Sequence, residues 1–220
     1  MNSKVAWPIW LVSIYLILAI LSGYFVFLHF NQENLLTKLC QEDGVIEWLT
    51  AIFYFGSSFL FLYGCKKENF KNLWYWFFIA LFFVIAAEEI SWGQRLFGFM
   101  TPENISNVNV QDEFNLHNTE GIHDKVRAVG LSFVLVVCYF LPVSNWLSSR
   151  LNSFYRKMRL PIYPLKFVGI TTVAILFMVV PRLLWDSVIF NLDEIGEIYL
   201  SVGFLMFALN ELFHTKSYSL

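Results

Sequence analysis

Long apolar runs separated by short polar connections dominate this chain. A helix needs about 20 predominantly apolar residues to cross a bilayer. Six stretches read as spans: Ile9–Leu28, Val45–Gly64, Leu73–Trp92, Ala128–Leu147, Phe167–Phe190 and about Glu197–Leu212, the last being short. The pattern predicts an all-α, polytopic integral membrane protein with a single transmembrane domain over residues 1–220. The first run is longer than the ~7–15 residues of a signal-peptide core, and no small-x-small site follows it closely. It reads as a retained span.

Composition agrees with lipid as the solvent. The chain is 57% hydrophobic and only 15% charged, against about 45–50% and about 25% in soluble domains. The net charge of −2 gives no sign of a nucleic-acid partner, so membrane lipid is the expected partner. Cys40, Cys65 and Cys138 fall outside, inside and within a span, which predicts three unpaired thiols.

Orientation follows from lysine and arginine in the connections. One side holds Lys66, Lys67, Lys71, Arg150, Arg156, Lys157, Arg159 and Lys166, with Lys4 and Lys216 at the termini. The other holds only Lys38, Arg95, Lys125 and Arg127. The first side, with both termini, is expected in the cytoplasm. Trp7, Trp10, Trp74 and Trp76 fit an aromatic belt at the same interface, and the basic segment Ser148–Lys166 fits attraction to anionic lipid.

With this orientation the acidic residues gather at the extracytoplasmic face. Intramembrane ionisable residues are candidates for function by default. Asp43 and Glu47 open the second span, and Glu88 and Glu89 close the third. Arg182 and Asp186 lie in the outer part of the fifth, and Asp193, Glu194 and Glu197 precede the sixth. Helical spacings of three, four and seven put Glu88, Ser91, Trp92 and Arg95 on one face. Two adjacent carboxylates repel when both are ionised, which suits general acid–base work. The competing reading is an ion pair between Glu88 and Arg95.

The loop 97–124 is the one long outer connection. In it Asn109, Gln111, Glu113, Asn115 and His117 recur at every second position. An extended chain would set them in one polar strip, with Val110, Phe114 and Leu116 opposite. The other reading is a solvated loop. His117, Glu120, His123 and Asp124 lie close together, so a divalent metal held by His117, Glu120 and His123 is one expectation. A neutral His117 acting as base is another. Gln94, Asn118 and Trp92 complete the polar set beside the third span, as candidates for substrate binding with Gln111, Glu113 and Asn115. Arg182 and Asp186 are spaced either for an intrahelical pair or for a clamp on an anion. Pro181 is expected to kink the fifth span. Asn104-Ile105-Ser106 matches a glycosylation acceptor. Glu120-x-x-His123 and Glu211-x-x-His214 mimic half of a di-iron ligand set. About 21 Å of helix between Glu197 and Glu211 separates the halves.

The run Ala87-Glu88-Glu89-Ile90-Ser91-Trp92-Gly93-Gln94-Arg95, followed by Asn109-x-Gln111-x-Glu113-x-Asn115-Leu116-His117-Asn118, resembles an uncharacterised family of bacterial multi-pass membrane proteins. That likeness extends to Glu42-Asp43-Gly44 and Glu47-Trp48, and implies a bacterial inner-membrane location. Asp43 and Glu47 opening a helix before Tyr54-Phe55-Gly56-Ser57-Ser58 give a fainter likeness to the alkaline ceramidase superfamily. Those enzymes have seven spans and a zinc-binding histidine pair in the last, which this chain lacks.

The expected function is a membrane-embedded enzyme, a hydrolase or transferase, acting on a lipid or lipid-linked substrate at the outer leaflet. Glu88 and Glu89 would supply acid–base groups or metal ligands with Asp43 and Glu47 assisting, Arg95 would orient a carboxylate or bind an anionic head group, and His117 would act as base or ligand. An ion- or proton-coupled transporter and a non-catalytic subunit of a membrane complex are the alternatives.

Overall fold

A computed structural model describes residues 8–41, 44–109, 113–116, 119, 121–184 and 190–214. They are helical almost throughout. The helices are α1 (Ile9–Asn31), α2 (Glu33–Cys40), α3 (Val45–Lys67), α4 (Leu73–Glu89), the short α5 (Gln94–Phe97) and α6 (Glu103–Ser106), α7 (His123–Leu135), α8 (Leu141–Leu147), α9 (Ser149–Lys157), α10 (Val168–Leu184) and α11 (Phe190–His214). Lipid offers no hydrogen bonds, so a spanning backbone must satisfy its own groups, and helices do so within one segment.

Among the described residues four helical stretches are long and apolar enough to cross a membrane: Ile9–Asn31, Glu33–Lys67, Asp124–Leu147 and Leu165–Leu183. A fifth arises if α4 is counted with the bent segment Ser91–Phe97. The protein is an integral membrane protein with four to five such helices. The expected sixth, α11, carries Asp193, Glu194, Glu197 and Glu211 and is not among these stretches. α11 packs on both α3 and α10. Ile195, Tyr199, Phe204 and Phe207 are buried against protein, and a helix enclosed by others does not need an apolar surface all round.

Aromatic rings fill the centre. Phe61 stacks on Phe78 at 5.0 Å, and Phe82 meets Phe204 at 5.0 Å. Leu16, Ile20 and Phe30 of α1 are exposed, as an apolar face toward lipid would be. Cys40, Cys65 and Cys138 are buried, free thiols. Within the fourth span, residues Val136–Phe140 widen into a π-helical turn. Pro142 explains it, because it has no N–H for the Cys138 carbonyl and its ring crowds that oxygen.

Gly196 sets how closely α10 and α11 approach. A Cβ there would lie 2.9 Å from the Ala174 carbonyl oxygen and would collide with the Met178 side chain. Gly196→Ala should therefore destabilise the protein by roughly 1–3 kcal/mol, as overpacked interfaces do, read as a lower melting temperature in detergent. An unchanged melting temperature would mean that the two helices can separate at no cost.

Candidate functional site

The third predicted span does not continue as helix to Trp92. α4 stops at Glu89, and Ser91, Trp92 and Gly93 take left-handed conformations with φ of 46°, 55° and 76°. The segment Ser91–Phe97 then leaves at 72° to α4. Glycine adopts such angles freely, whereas other residues pay about 1–2 kcal/mol each. A single helical face carrying Glu88, Ser91, Trp92 and Arg95 is thus replaced by a corner.

Side chains from the loop hold that corner. Glu113 is buried, and both its oxygens are engaged. Ser91 Oγ donates to Glu113 Oε2 at 2.7 Å, and Asn115 Nδ2 donates to the same oxygen at 2.8 Å. Arg95 donates to Oε1 at 3.0 Å. The Glu113 N–H donates to Asn109 Oδ1, and Asn109 Nδ2 donates to Asn115 Oδ1 at 2.9 Å. Gln94 accepts from the Phe114 N–H at 2.8 Å and donates to Thr101. Glu88 accepts from Trp92 Nε1 at 2.6 Å and from the Leu116 N–H at 2.7 Å.

Of the alternating polar positions Asn109, Glu113 and Asn115 are described, and these three bond to one another and face inward. Asn109, Glu113 and Asn115 are buried, Phe114 packs on Phe99, and Leu116 is exposed. The arrangement assigns Gln94, Glu113 and Asn115 to holding the loop, and it pairs Arg95 with Glu113.

Behind the corner lies the acidic group. Glu89 closes α4 and is within electrostatic reach of Glu197, Glu194, Glu47 and Glu88, in falling order of effect. These side chains come from α3, α4 and α11. Glu89 makes no hydrogen bond or ion pair to the described residues, in contrast to Glu88. Tyr54, fully buried on α3, faces Glu89 and Glu197. Tyr54 entered the sequence reading only within the Tyr54–Ser58 run and was given no role at the site, although its spacing of seven from Glu47 puts both on one helical face.

Arg182 was expected beside Asp186, and Asp186 lies outside the described residues. Arg182 instead pairs with Asp193 on α11. Arg127 of α7 pairs with the same carboxylate at 2.8 Å. Asp193 is buried, so one carboxylate ties α7, α10 and α11 together. Arg127 went unnoticed as a site residue; its signal was being a cation at the outer start of an apolar run.

Asp43, Gln111, His117, Asn118 and Glu120 also lie outside the described residues, as does the side chain of His123. The proposed metal ligands are therefore not described, and no group of three or more possible ligands occurs among the described residues. No family model, curated protein or solved structure matches the chain.

Proposed function

We propose that this chain is an enzyme of the bacterial inner membrane that acts on a lipid or lipid-linked substrate at the extracytoplasmic face. In this reading it spans the membrane six times with both termini in the cytoplasm. The observation that carries it is that Glu47 of α3 and Glu194 and Glu197 of α11 lie within electrostatic reach of Glu89 at the end of α4. Carboxylates in mutual reach hold protons unequally, so one can serve as acid while a neighbour serves as base. Glu89 is the group for that exchange, because Glu88 is occupied in fastening the loop. Tyr54 supplies a hydroxyl beside it. The loop 97–124 acts as a lid whose inner edge is pinned through Glu113. The chemistry is transfer of an acyl or phosphoryl group to water or to another hydroxyl.

The basic residues Lys66, Lys67, Lys71, Arg150 and Arg156 support the orientation, since they gather at the far end of α3 and α4, about 24 Å of helix from Glu89. The test uses purified protein incubated with total bacterial lipid and followed by untargeted mass spectrometry. Glu89→Gln should lower the rate of any conversion at least ~100-fold, the usual size of a lost acid–base group, with unchanged melting temperature. Equal conversion by both proteins, or none by either, would end this reading.

A further inference from the structure

A cavity of about 730 Å³ opens at the end of the bundle opposite the acidic group. Three segments build it: the turn between α3 and α4, the connection through α9, and the last turn of α11. Lys67, Lys71, Arg156 and Arg159 line it. None of the four makes an ion pair with a described residue, and the recorded partner of Lys67 is the Tyr63 ring at 4.7 Å. The cations outnumber the two lining carboxylates, Glu68 and Glu211.

The walls are built rather than loosely apposed. Asn72 is buried, caps α4 through the Trp74 N–H, and donates to the Arg159 carbonyl at 3.1 Å, so it joins two of the three segments. Tyr75 reaches Glu211 on the third at 3.4 Å. Asn69, Phe70 and Arg159 take positive φ of 51°, 60° and 52° at the rim. Glu68 Oε2 is buried with no hydrogen-bond partner.

We infer that this cavity is a second binding site, for a phosphate ester that also carries a hydroxyl or amino group. Two guanidinium forks and two ammonium groups suit a phosphate. Glu68 Oε2 has no donor among the described residues, and an ionised phosphate ester group brings none, whereas a hydroxyl or amine supplies one. The volume falls in the ordinary range of small-molecule sites, roughly 300–1,000 Å³. A phospholipid headgroup and a soluble phosphate ester share this chemistry. The site is independent of the acidic group and of whatever reaction occurs there.

The full-length protein in maltoside micelles, which contain no phosphate, separates the two sources. Phosphatidylglycerol is added and counted on the protein by native mass spectrometry; glycerol 3-phosphate is followed by equilibrium dialysis. One equivalent of either probe is expected to bind. Arg156→Gln and Lys71→Gln lie on different segments and should each weaken that binding about tenfold. Lys66→Gln, adjacent but off the lining, should leave it unchanged. Melting curves without probe establish that each variant is folded, and the two sites of substitution guard against one failing to fold. Retention of the lipid alone assigns a headgroup, and retention of the ester alone assigns a soluble ligand. Binding of neither probe, or equal binding by folded Arg156→Gln and Lys71→Gln, overturns the inference.

Discussion

Glu113→Ala is expected to destabilise the loop and corner by about 2–5 kcal/mol, because it removes the acceptor of the buried Ser91 hydroxyl and one of the two acceptors of Asn115 Nδ2, the other being Ser91 Oγ. Ser91 Oγ and Asn115 Nδ2 both donate to the lost carboxylate. Arg95, whose side chain is 55% exposed, should matter little, since water replaces its partner. The left-handed angles at Ser91 and Trp92 would then have less to hold them. Hydrogen exchange at residues 91–93 should accelerate, and protease should cut within 98–122. Glu113→Gln keeps one acceptor oxygen but turns an N–H₂ group toward another donor, so an intermediate loss is expected. Exchange and cleavage as in the unmodified protein would show that the loop is held by other contacts.

Asp193→Ala should destabilise the folded protein by about 3–5 kcal/mol, the usual result of removing one partner from a buried ionic group. Here a single carboxylate serves two guanidiniums, with side chains 20% and 27% exposed for Arg127 and Arg182. Removing it leaves two cations facing one another among three helices. Arg127 Nη1 already lacks a hydrogen-bond partner, so little nearby can compensate. Replacing the whole group by apolar residues, as Arg127→Leu, Arg182→Met and Asp193→Leu together, should recover most of the loss, because no charge is left uncompensated. Thermal melts of both variants in detergent test this. An Asp193→Ala protein within about 0.5 kcal/mol of the parent, the range of ordinary surface changes, would refute the ionic role.

The membrane class was legible because it depends on composition and run length alone, which any tertiary arrangement must respect. The first two spans begin where expected, at Ile9 and Val45. The end of the third did not follow, since hydropathy and helical spacing carry no sign of three consecutive positive φ angles. Gly93 was a hint of a break, but Ser91 and Trp92 are held at the corner by Glu113 of the loop and Glu88 of α4. The period-two run put Asn109, Glu113 and Asn115 on one side only for an extended segment, with a solvated loop as the other reading. It could not show that this side points inward, because polar residues turn inward only where they satisfy one another.

Residue identity and order thus determined a bundle of apolar helices and the candidacy of Glu89. Partnership was decided by the fold. Arg95 reaches Glu113 eighteen residues away, and Arg127 reaches Asp193 sixty-six residues away. A side chain in a low-dielectric interior takes whichever opposite charge the packing brings within about 3 Å, and sequence distance places no limit on which one that is.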